Sequence, residues 1–279
     1  MSPPAGGRSD PAAGAGAVEG PGGSIAPVEF PAEHLLSSGY SVAFAVPAAG
    51  LSPLLSAEWL AVPLGPAWRP APLAAGYGVL AVAYHDFSDS PAGPYRQLSL
   101  AVAVHVGARG RGVRGLPLLP ILWQSLGGSR PLFPTLGMAV VLLVASTPEA
   151  VTYSCRLWGE PAFTGGVEAV ADEGGGRRMV ELRAHLEGPP GLRVRVAVPA
   201  PGRATTREDR RYRLFSRLGG EALADYMHVR APCRRSLAPR RGTLVWTAPG
   251  GSIVERRPLC LLVMEYGPGS VVFGGPRRL

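Results

Sequence analysis

The stretch RQLSLAVAVHV, residues 96–106, alternates between large aliphatic side chains and small or polar ones. Alternation with a period of two predicts a β-strand whose two faces differ. A small-sided face inside a closed sheet leaves empty space, so we expect this strand to line a cavity. The bulky face carries Leu98, Leu100, Val102 and Val104, and the small face carries Gln97, Ser99, Ala101, Ala103 and His105.

The same period recurs along most of the chain, and the 38 glycines and 30 prolines favour short elements joined by turns. Short helices are predicted only at 50–59, 147–155 and 219–229. Many strands with few helices are typical of an antiparallel barrel or a sandwich, and therefore of a mainly β fold. The other predicted strands are 40–46, 78–87, 138–146, 242–248, 259–267 and 270–275, with a hairpin formed by 177–188 and 191–199.

Composition predicts two regions. Residues 1–27 are rich in Pro, Ala and Gly and have too few large apolar groups to order themselves, so we interpret them as a disordered tail. From Val28 onward the composition is globular, and no second linker of that kind appears. We therefore expect residues 28–279 to form a single domain.

The formal charge is +8, and all 28 basic residues are arginine. Because the chain contains no lysine, no side-chain amine is present to form a Schiff base. The two arginine-rich segments, 207–217 and 233–241, hold few aromatic residues for base stacking, so nucleic acid is not an expected partner.

Cellular location is predicted from the cysteines and from the apolar runs. The three cysteines, Cys155, Cys233 and Cys260, are few and far apart, which favours a reducing compartment. The longest apolar run, 136–145, is too short to span a bilayer, and no signal peptide is apparent. The expected location is the cytoplasm, with no membrane contact.

Several common catalytic and metal-binding motifs are absent from the sequence: no G-x-S-x-G elbow, P-loop, CxxC or HExxH occurs. The five histidines are far apart in sequence, and His228 with Cys233 is more simply interpreted as a structural pair than as metal ligands. We therefore expect no cofactor and no metal.

Two segments carry more information. YHDFSDSPAGPYRQLSL (84–100) leads through Gly93-Pro94-Tyr95 into the cavity-lining strand, and TPEAVTYSCRLWGEPAF (147–163) places a short helix before Gly159-Glu160-Pro161-Ala162. Together, in order and spacing, they resemble the acetoacetate decarboxylase superfamily over residues 35–170. That family has a Gly-(Pro)-Tyr-x-Glu stretch, and after a short helix a Gly-Phe/Tyr-Pro-Lys segment.

The resemblance implies a closed antiparallel β-barrel around a lysine that forms an imine with a β-keto acid. Carried over residue by residue, the lysine position falls on Ala162 and the glutamate after the tyrosine falls on Gln97. A second family carboxylate falls near Leu80, and an N-terminal arginine near Ser37 or Ser38. A glutamate left beside a lost ammonium would be a buried unpaired charge, and Gln97 removes that charge.

The expected function is binding rather than imine catalysis, with no confident catalytic residue. A small organic acid, such as a keto acid, or an apolar metabolite would bind inside the barrel of this pseudoenzyme. The alternatives are a lyase, isomerase or decarboxylase that works without an imine, through Glu160 and Arg156 with Tyr95 or His105, and a non-catalytic interaction protein. Family resemblance also suggests a homo-oligomer. The predicted ligand-binding residues are Tyr95, Gln97, Ser99, Trp158, Glu160 and Ala162.

Overall fold

The fold is seen in a computed structural model of the 279-residue chain. It describes residues 28–55, 68–71, 76–106, 136–160, 162–172, 178–186, 193–202, 204–218, 221–236, 240–248, 251–255 and 258–279. The predicted tail, 1–27, and the predicted turn at 187–191 lie outside these residues.

The protein is mainly β, as predicted, with strands in two sheets. The large sheet contains β1 (Ala32–Pro47), β2 (Trp68–Pro70), β3 (Tyr77–Asp89), β4 (Tyr95–Val106), β5 (Leu136–Ala145), β6 (Ala162–Thr164), β10 (Thr205–Leu218), β11 (Glu221–Ser236), β12 (Arg240–Arg241), β15 (Leu259–Tyr266), β16 (Gly269–Phe273) and β17 (Arg277–Arg278). The small sheet contains β7 (Gly166–Asp172), β8 (Met179–His185), β9 (Arg193–Pro199), β13 (Thr243–Ala248) and β14 (Gly251–Glu255).

Strand pairing in the large sheet is cyclic. Antiparallel ladders join β1 to β3, β3 to β4 and β4 to β5. From β5 the order continues to β10, β11 and β16, and β16 pairs with β1 again. The hydrogen-bonded path therefore returns to the strand on which it began.

Not every pair in the large sheet is antiparallel, which corrects the sequence-based expectation. Both β6 and β10 run parallel to β5. In the first case a helix lies between the two strands, and a helical crossover brings the chain back in the same direction.

The small sheet covers one face of the large one. Its order is β14-β13-β9-β8-β7, all antiparallel, and it contains the predicted hairpin as β8 and β9. Between the sheets lies a solid core, here called the inter-sheet core. Leu98 and Leu100 of β4 pack there with Leu182 and Val196 of the small sheet and with Leu244.

Two helices occur among the described residues: α1 (Ala48–Leu55) and α2 (Pro148–Trp158). The second confirms the helix predicted at 147–155, since the Thr147 hydroxyl caps its N-terminus by accepting from the Ala150 amide. Neither is long and apolar enough to cross a membrane.

The helix predicted at 219–229 is wrong. Residues 221–236 form β11, which pairs with β10 from Glu221↔Leu218 to Arg234↔Thr205. Long-range pairing with two flanking strands outweighs the local helix preference of Glu-Ala-Leu-Ala.

Candidate functional site

A cavity of about 140 Å³ lies on the side of the large sheet that faces away from the small sheet. Strands β1, β3, β4, β5, β10, β11, β15 and β16, together with α2, contribute to its wall. Most of the lining side chains are apolar, and three of them are methionines, Met138, Met227 and Met264. We call this space the central cavity.

The alternation within β4 positions the cavity wall. Gln97, Ser99 and Ala101 line the central cavity, while Leu98 and Leu100 are fully buried in the inter-sheet core. Because side chains on a strand alternate between its faces, one sequence pattern produces both environments. The small side chains of this face leave the space that the cavity occupies.

A polar pair on β3 and β4 forms one part of the wall. His85 lies directly opposite Gln97 in the ladder, and the Gln97 Nε2 is 3.3 Å from the His85 Nδ1. His85 is 2% exposed, and burial lowers its pKa to about 4, so its ring is neutral at neutral pH. The other ring nitrogen, Nε2, has no hydrogen-bond partner.

A second polar cluster joins β1, β4 and α2. The Tyr95 hydroxyl lies 3.3 Å from the His34 Nδ1, and the His34 Nε2 lies 3.4 Å from the Tyr153 hydroxyl. Burial, and then the neighbouring His85, lowers the pKa of His34 to about 3. Burial also raises the pKa of both tyrosines, so all three groups are neutral.

The end of α2 directs two further side chains into the cavity. Gly159 ends the helix at φ +60°, and a Cβ there would lie 2.1 Å from the Arg217 carbonyl oxygen, so only glycine fits. Its amide donates to the Cys155 carbonyl. Trp158 and Glu160 on either side both line the cavity.

These two side chains are held differently. The Trp158 indole N–H donates to the Asp225 carboxylate at 2.7 Å, which fixes the ring against the cavity. Burial, and then the negative charge of Asp225, raises the pKa of Glu160 to about 8. Glu160 is therefore mostly protonated at pH 7 and can donate a hydrogen bond.

No positive side chain lines the central cavity among the residues that the structure describes. Among the described residues that line it, none is arginine or lysine, and both of its histidines are neutral at pH 7. Nor do the described residues contain a cluster of three or more His, Cys, Asp or Glu side chains placed to hold a metal ion.

The structure brings together five of the six residues predicted to bind a ligand. Tyr95, Gln97, Ser99, Trp158 and Glu160 line the central cavity. Ala162 does not line it: it begins β6, pairs with the cavity-lining Leu143, and packs partly buried behind the wall.

Arg156 and His105, considered as alternative catalytic groups, do not line the cavity either. Near the other positions suggested by family resemblance, Leu80 lies in the inter-sheet core and Ser37 is exposed. The cavity-lining side chains of β3 are Val79, Ala81, Ala83 and His85.

Sequence reasoning missed His34, His85 and Tyr153, because residues far apart in sequence gave no sign of contact. A signal did exist for His85. On β3 it continues the small face of Ala81 and Ala83, as Gln97 continues the small face of β4, so aligning the two small faces places the two polar residues opposite each other.

Comparison with known proteins gives a match only at the level of structure: no family model and no curated protein sequence matches the chain. The enduracididine biosynthesis enzyme MppR complexed with pyruvate superposes with a TM-score of 0.51 at 12% identity, over 89% of this chain and 90% of that chain. The same enzyme with HEPES buffer bound gives 0.50 at 13% identity, over 95% and 98%. The chain has the acetoacetate decarboxylase-like fold.

Acetoacetate decarboxylase from Legionella pneumophila subsp. pneumophila str. Philadelphia 1 is also similar, with a TM-score of 0.45 at 11% identity over 87% of each chain. At such identities the likeness to these acetoacetate decarboxylase-like proteins concerns the fold. The chemistry of this chain depends on the residues of its own cavity.

Proposed function

We propose that this protein is an acetoacetate decarboxylase-like β-barrel that binds a small, neutral, largely apolar molecule in its central cavity without forming an imine. The observation that carries the proposal is a mainly apolar cavity whose described lining residues include several neutral polar groups and no cation. The cyclic strand pairing supports the barrel, and the occurrence of MppR with small molecules bound supports ligand binding.

Size limits the ligand. A dry cavity of roughly 150 Å³ accommodates benzene, and the central cavity has about 140 Å³. A compact molecule of about six to eight non-hydrogen atoms fits that space. The three methionines in the wall can adjust their shape to such a ligand because the thioether chain is flexible.

The charge of the ligand distinguishes the two ligand classes predicted from the sequence, a small organic acid and an apolar metabolite. A carboxylate would find no arginine or lysine to pair with among the described residues of the wall, and an unpaired buried charge is strongly unfavourable. The geometry therefore supports a neutral metabolite rather than a small organic acid.

The missing amine supports non-covalent binding. The chain has no lysine at all, and we propose that Ala162 occupies the position of the family's lysine. Ala162→Lys would restore an amine beside the wall. With cyclohexanone and borohydride we expect labelling of Ala162→Lys at its new lysine, and much less of Val170→Lys, which places its amine on the exposed β7. Equal labelling of the two variants would mean that a lysine side chain at position 162 does not reach into the cavity.

A matched pair of ligands tests the proposed function. Methyl acetoacetate and acetoacetate share the same keto group, but only the second is an anion at pH 7.5. We expect the ester to raise the melting temperature and the acid to have little effect, since a ligand that binds only the folded state stabilises it. Tighter binding of the anion would contradict the proposal.

A cavity-filling variant provides the control for that experiment. Ala101→Leu places extra atoms in the central cavity and is expected to abolish the response to the ester. The same change at the exposed Ala171 of β7 should leave the response intact.

A second candidate function rests on Glu160 alone. A carboxyl with a pKa of about 8 that faces a cavity is partly ionised near pH 8, so its carboxylate form can remove an α-proton from a bound carbonyl compound and its protonated form can return one. The test is the rate at which cyclohexanone exchanges its α-protons for deuterium in heavy water. Proton transfer predicts a faster rate with the wild type than with Glu160→Gln, and equal rates leave binding as the function.

A further inference from the structure

We propose that a groove on the outer surface of the large sheet binds a phosphate group through the guanidinium groups of Arg207, Arg230 and Arg234. The groove has a volume of about 170 Å³ and, among its described lining residues, shares only Tyr266 with the central cavity. The inference goes beyond the proposed function and does not depend on it. We call this space the outer groove, and its wall includes Thr205, Pro232, Arg234, Glu265, Tyr266 and Gly267.

The alternation of side chains in β10 and β11 places the three arginines on one face. Tyr212 of β10 and Met227 of β11 line the central cavity, and the ladder between the two strands is continuous. Residues an odd number of positions away therefore face outward, and these include Arg207, Arg230 and Arg234. Arg207 is exposed, and the side chains of Arg230 and Arg234 are 50% and 42% exposed, so solutes can reach all three.

The register of the ladder brings the three arginines together. Arg207 lies directly opposite Pro232. Arg230 and Arg234 stand two residues to either side of Pro232, so both are diagonal neighbours of Arg207. Diagonal neighbours on one face of a sheet are roughly 7–8 Å apart, within reach of long side chains. The three guanidinium groups can therefore converge on one small anion above Pro232.

The carboxylate nearest Arg230 is already bonded to another residue. Asp209 lies opposite Arg230 in the ladder, but its carboxylate bonds the Nε2 of His228 and stands 3.9 Å from the Nε of Arg230. Such a long contact leaves the guanidinium able to bond a second anion.

The carboxylate nearest Arg234 is also engaged elsewhere. Glu265 accepts from both terminal nitrogens of Arg178, at 2.7 and 2.9 Å, whereas Arg234 approaches it only to 3.7 Å. Counting Arg207 and Arg230 as well, four arginines of the described chain face two carboxylates here, which leaves two positive charges in excess. A phosphate group carries a charge close to −2 at neutral pH.

The chemistry of the guanidinium group favours an oxyanion. Its planar set of N–H donors can make two parallel hydrogen bonds to a pair of phosphate oxygens, which a single ammonium cannot do. Like charges that are neighbours on one face of a sheet also repel one another. A bound phosphate would remove that repulsion between the three arginines.

Titration with inorganic phosphate tests the site. The backbone amide signals of Cys233 and Gly267, which line the outer groove, are followed at pH 7.5 while sodium chloride keeps the ionic strength constant. We expect both signals to shift saturably with a Kd on the order of 1 mM, since exposed ion pairs are individually weak. Acetate, which carries a single charge, should bind more weakly.

An arginine variant and a control of equal charge test which residues bind the anion. Arg234→Gln removes one guanidinium and leaves Glu265 bonded to Arg178, so we expect phosphate to bind roughly fivefold more weakly. Arg278→Gln removes the same charge from a side chain that is 80% exposed and pairs with Glu221, at the other end of the β10–β11 hairpin. It should keep the affinity of the wild type.

Phenyl phosphate distinguishes the two sources of such an anion, the inorganic ion and a phosphate ester. Tighter binding of the ester would assign the outer groove to phosphorylated molecules, and equal or weaker binding would assign it to inorganic phosphate. Either result supports the site.

Two results would overturn the inference. One is the absence of any saturable shift at constant ionic strength. The other is an equal weakening by Arg234→Gln and Arg278→Gln, because the surface would then attract anions only through its overall charge. Neither result affects the proposed function of the central cavity.

Discussion

Neighbouring residues of β4 point to opposite faces of the strand, and the two faces have different surroundings. Leu98 and Leu100 pack into the inter-sheet core with apolar side chains of the small sheet. Ser99 and Ala101, on the other face, border a cavity of about 140 Å³. On the hollow side lie the neutral histidines, the Glu160 carboxyl with its raised pKa, and the buried tyrosines around His34.

One face of this strand therefore contributes mainly to stability, and the other face forms the proposed binding cavity. The filled face is apolar and contributes through burial and close packing. The hollow face keeps space and buried polar groups, both of which reduce stability unless a ligand uses them. Each prediction below compares the two faces, in order of decreasing effect on the free energy of unfolding.

The largest effect is expected in acid, from the hollow side. In the unfolded chain, histidines take up a proton near pH 6.5, whereas His85 does so in the folded state only near pH 4 and His34 only near pH 3. Between these values the unfolded state binds more protons, so the free energy of unfolding falls as the pH falls. We expect each histidine to contribute about 3 kcal/mol to the loss by pH 4, measured by urea unfolding.

Two variants sharpen this prediction. His85→Gln cannot titrate in this range and should show a smaller loss between pH 7 and pH 4. The exposed His185→Gln should leave the loss in place. Because the raised pKa of Glu160 gives an opposing gain, similar in size to the loss from one histidine, over the same pH range, the test is the difference between the variants. A loss as large in His85→Gln as in the wild type would contradict a buried neutral His85.

Removing a leucine from each face is expected to have unequal effects. Leu100→Ala opens a new void in the filled core and should lower the free energy of unfolding by about 4 kcal/mol. Leu143→Ala only enlarges an existing cavity and should lower it by about 2 kcal/mol. Chemical unfolding measures both, and equal losses would indicate that the central cavity is already filled.

Glu160→Gln is expected to stabilise the protein at high pH. In the folded state this carboxyl has a pKa of about 8, against about 4.5 when unfolded. The folded state binds more protons between these values, so the wild type loses stability as the pH rises from 4.5 to 8. The variant should be more stable by about 4 kcal/mol at pH 8 and by almost nothing at pH 4.

Unfolding curves at the two pH values test this, and Glu168→Gln on the small sheet is the control. Glu168 has a half-exposed carboxylate paired with Arg183, so its substitution should not give a gain that grows with pH. A Glu160→Gln variant that is no more stable than the wild type at pH 8 would mean that Glu160 is solvated.

The smallest effect is expected from adding two methyl groups on either face. Ala101→Val partly fills the cavity and should stabilise the protein by about 1 kcal/mol. Ala139→Val, in the filled inter-sheet core, should destabilise it by about 1 to 3 kcal/mol. The sign of each change, read from thermal unfolding, tests which face has room; two losses would contradict the comparison.

Much of the fold could be predicted from the sequence because period two is a local signal. The alternation in 96–106 separates the two faces of β4, and Thr147-Pro148-Glu149 marks the start of α2. Long-range pairing was not visible in the same way. Residues 219–229 resemble a helix, but β10 and β16 provide hydrogen-bonding edges that make 221–236 a strand.

The candidate site could be predicted only in part, for a similar reason. Family resemblance pointed to Tyr95, Gln97, Trp158 and Glu160 through two short segments. His85 could be placed only by the register of β3 against β4, and His34 only by closing β1 onto α2. Local sequence patterns indicate neither the register of paired strands nor a contact between two residues that are 119 positions apart.

The methionines give the most direct test of the central claim, that the central cavity binds a small neutral molecule. Met138, Met227 and Met264 line it, whereas Met179 lies on the small sheet. With ¹³C-labelled methionine methyl groups, titration with cyclohexanone should shift the first three signals saturably and leave that of Met179 unchanged. If the three cavity signals stay fixed while ligand is added, or if Met179 responds instead, the cavity does not bind the ligand and the account is wrong.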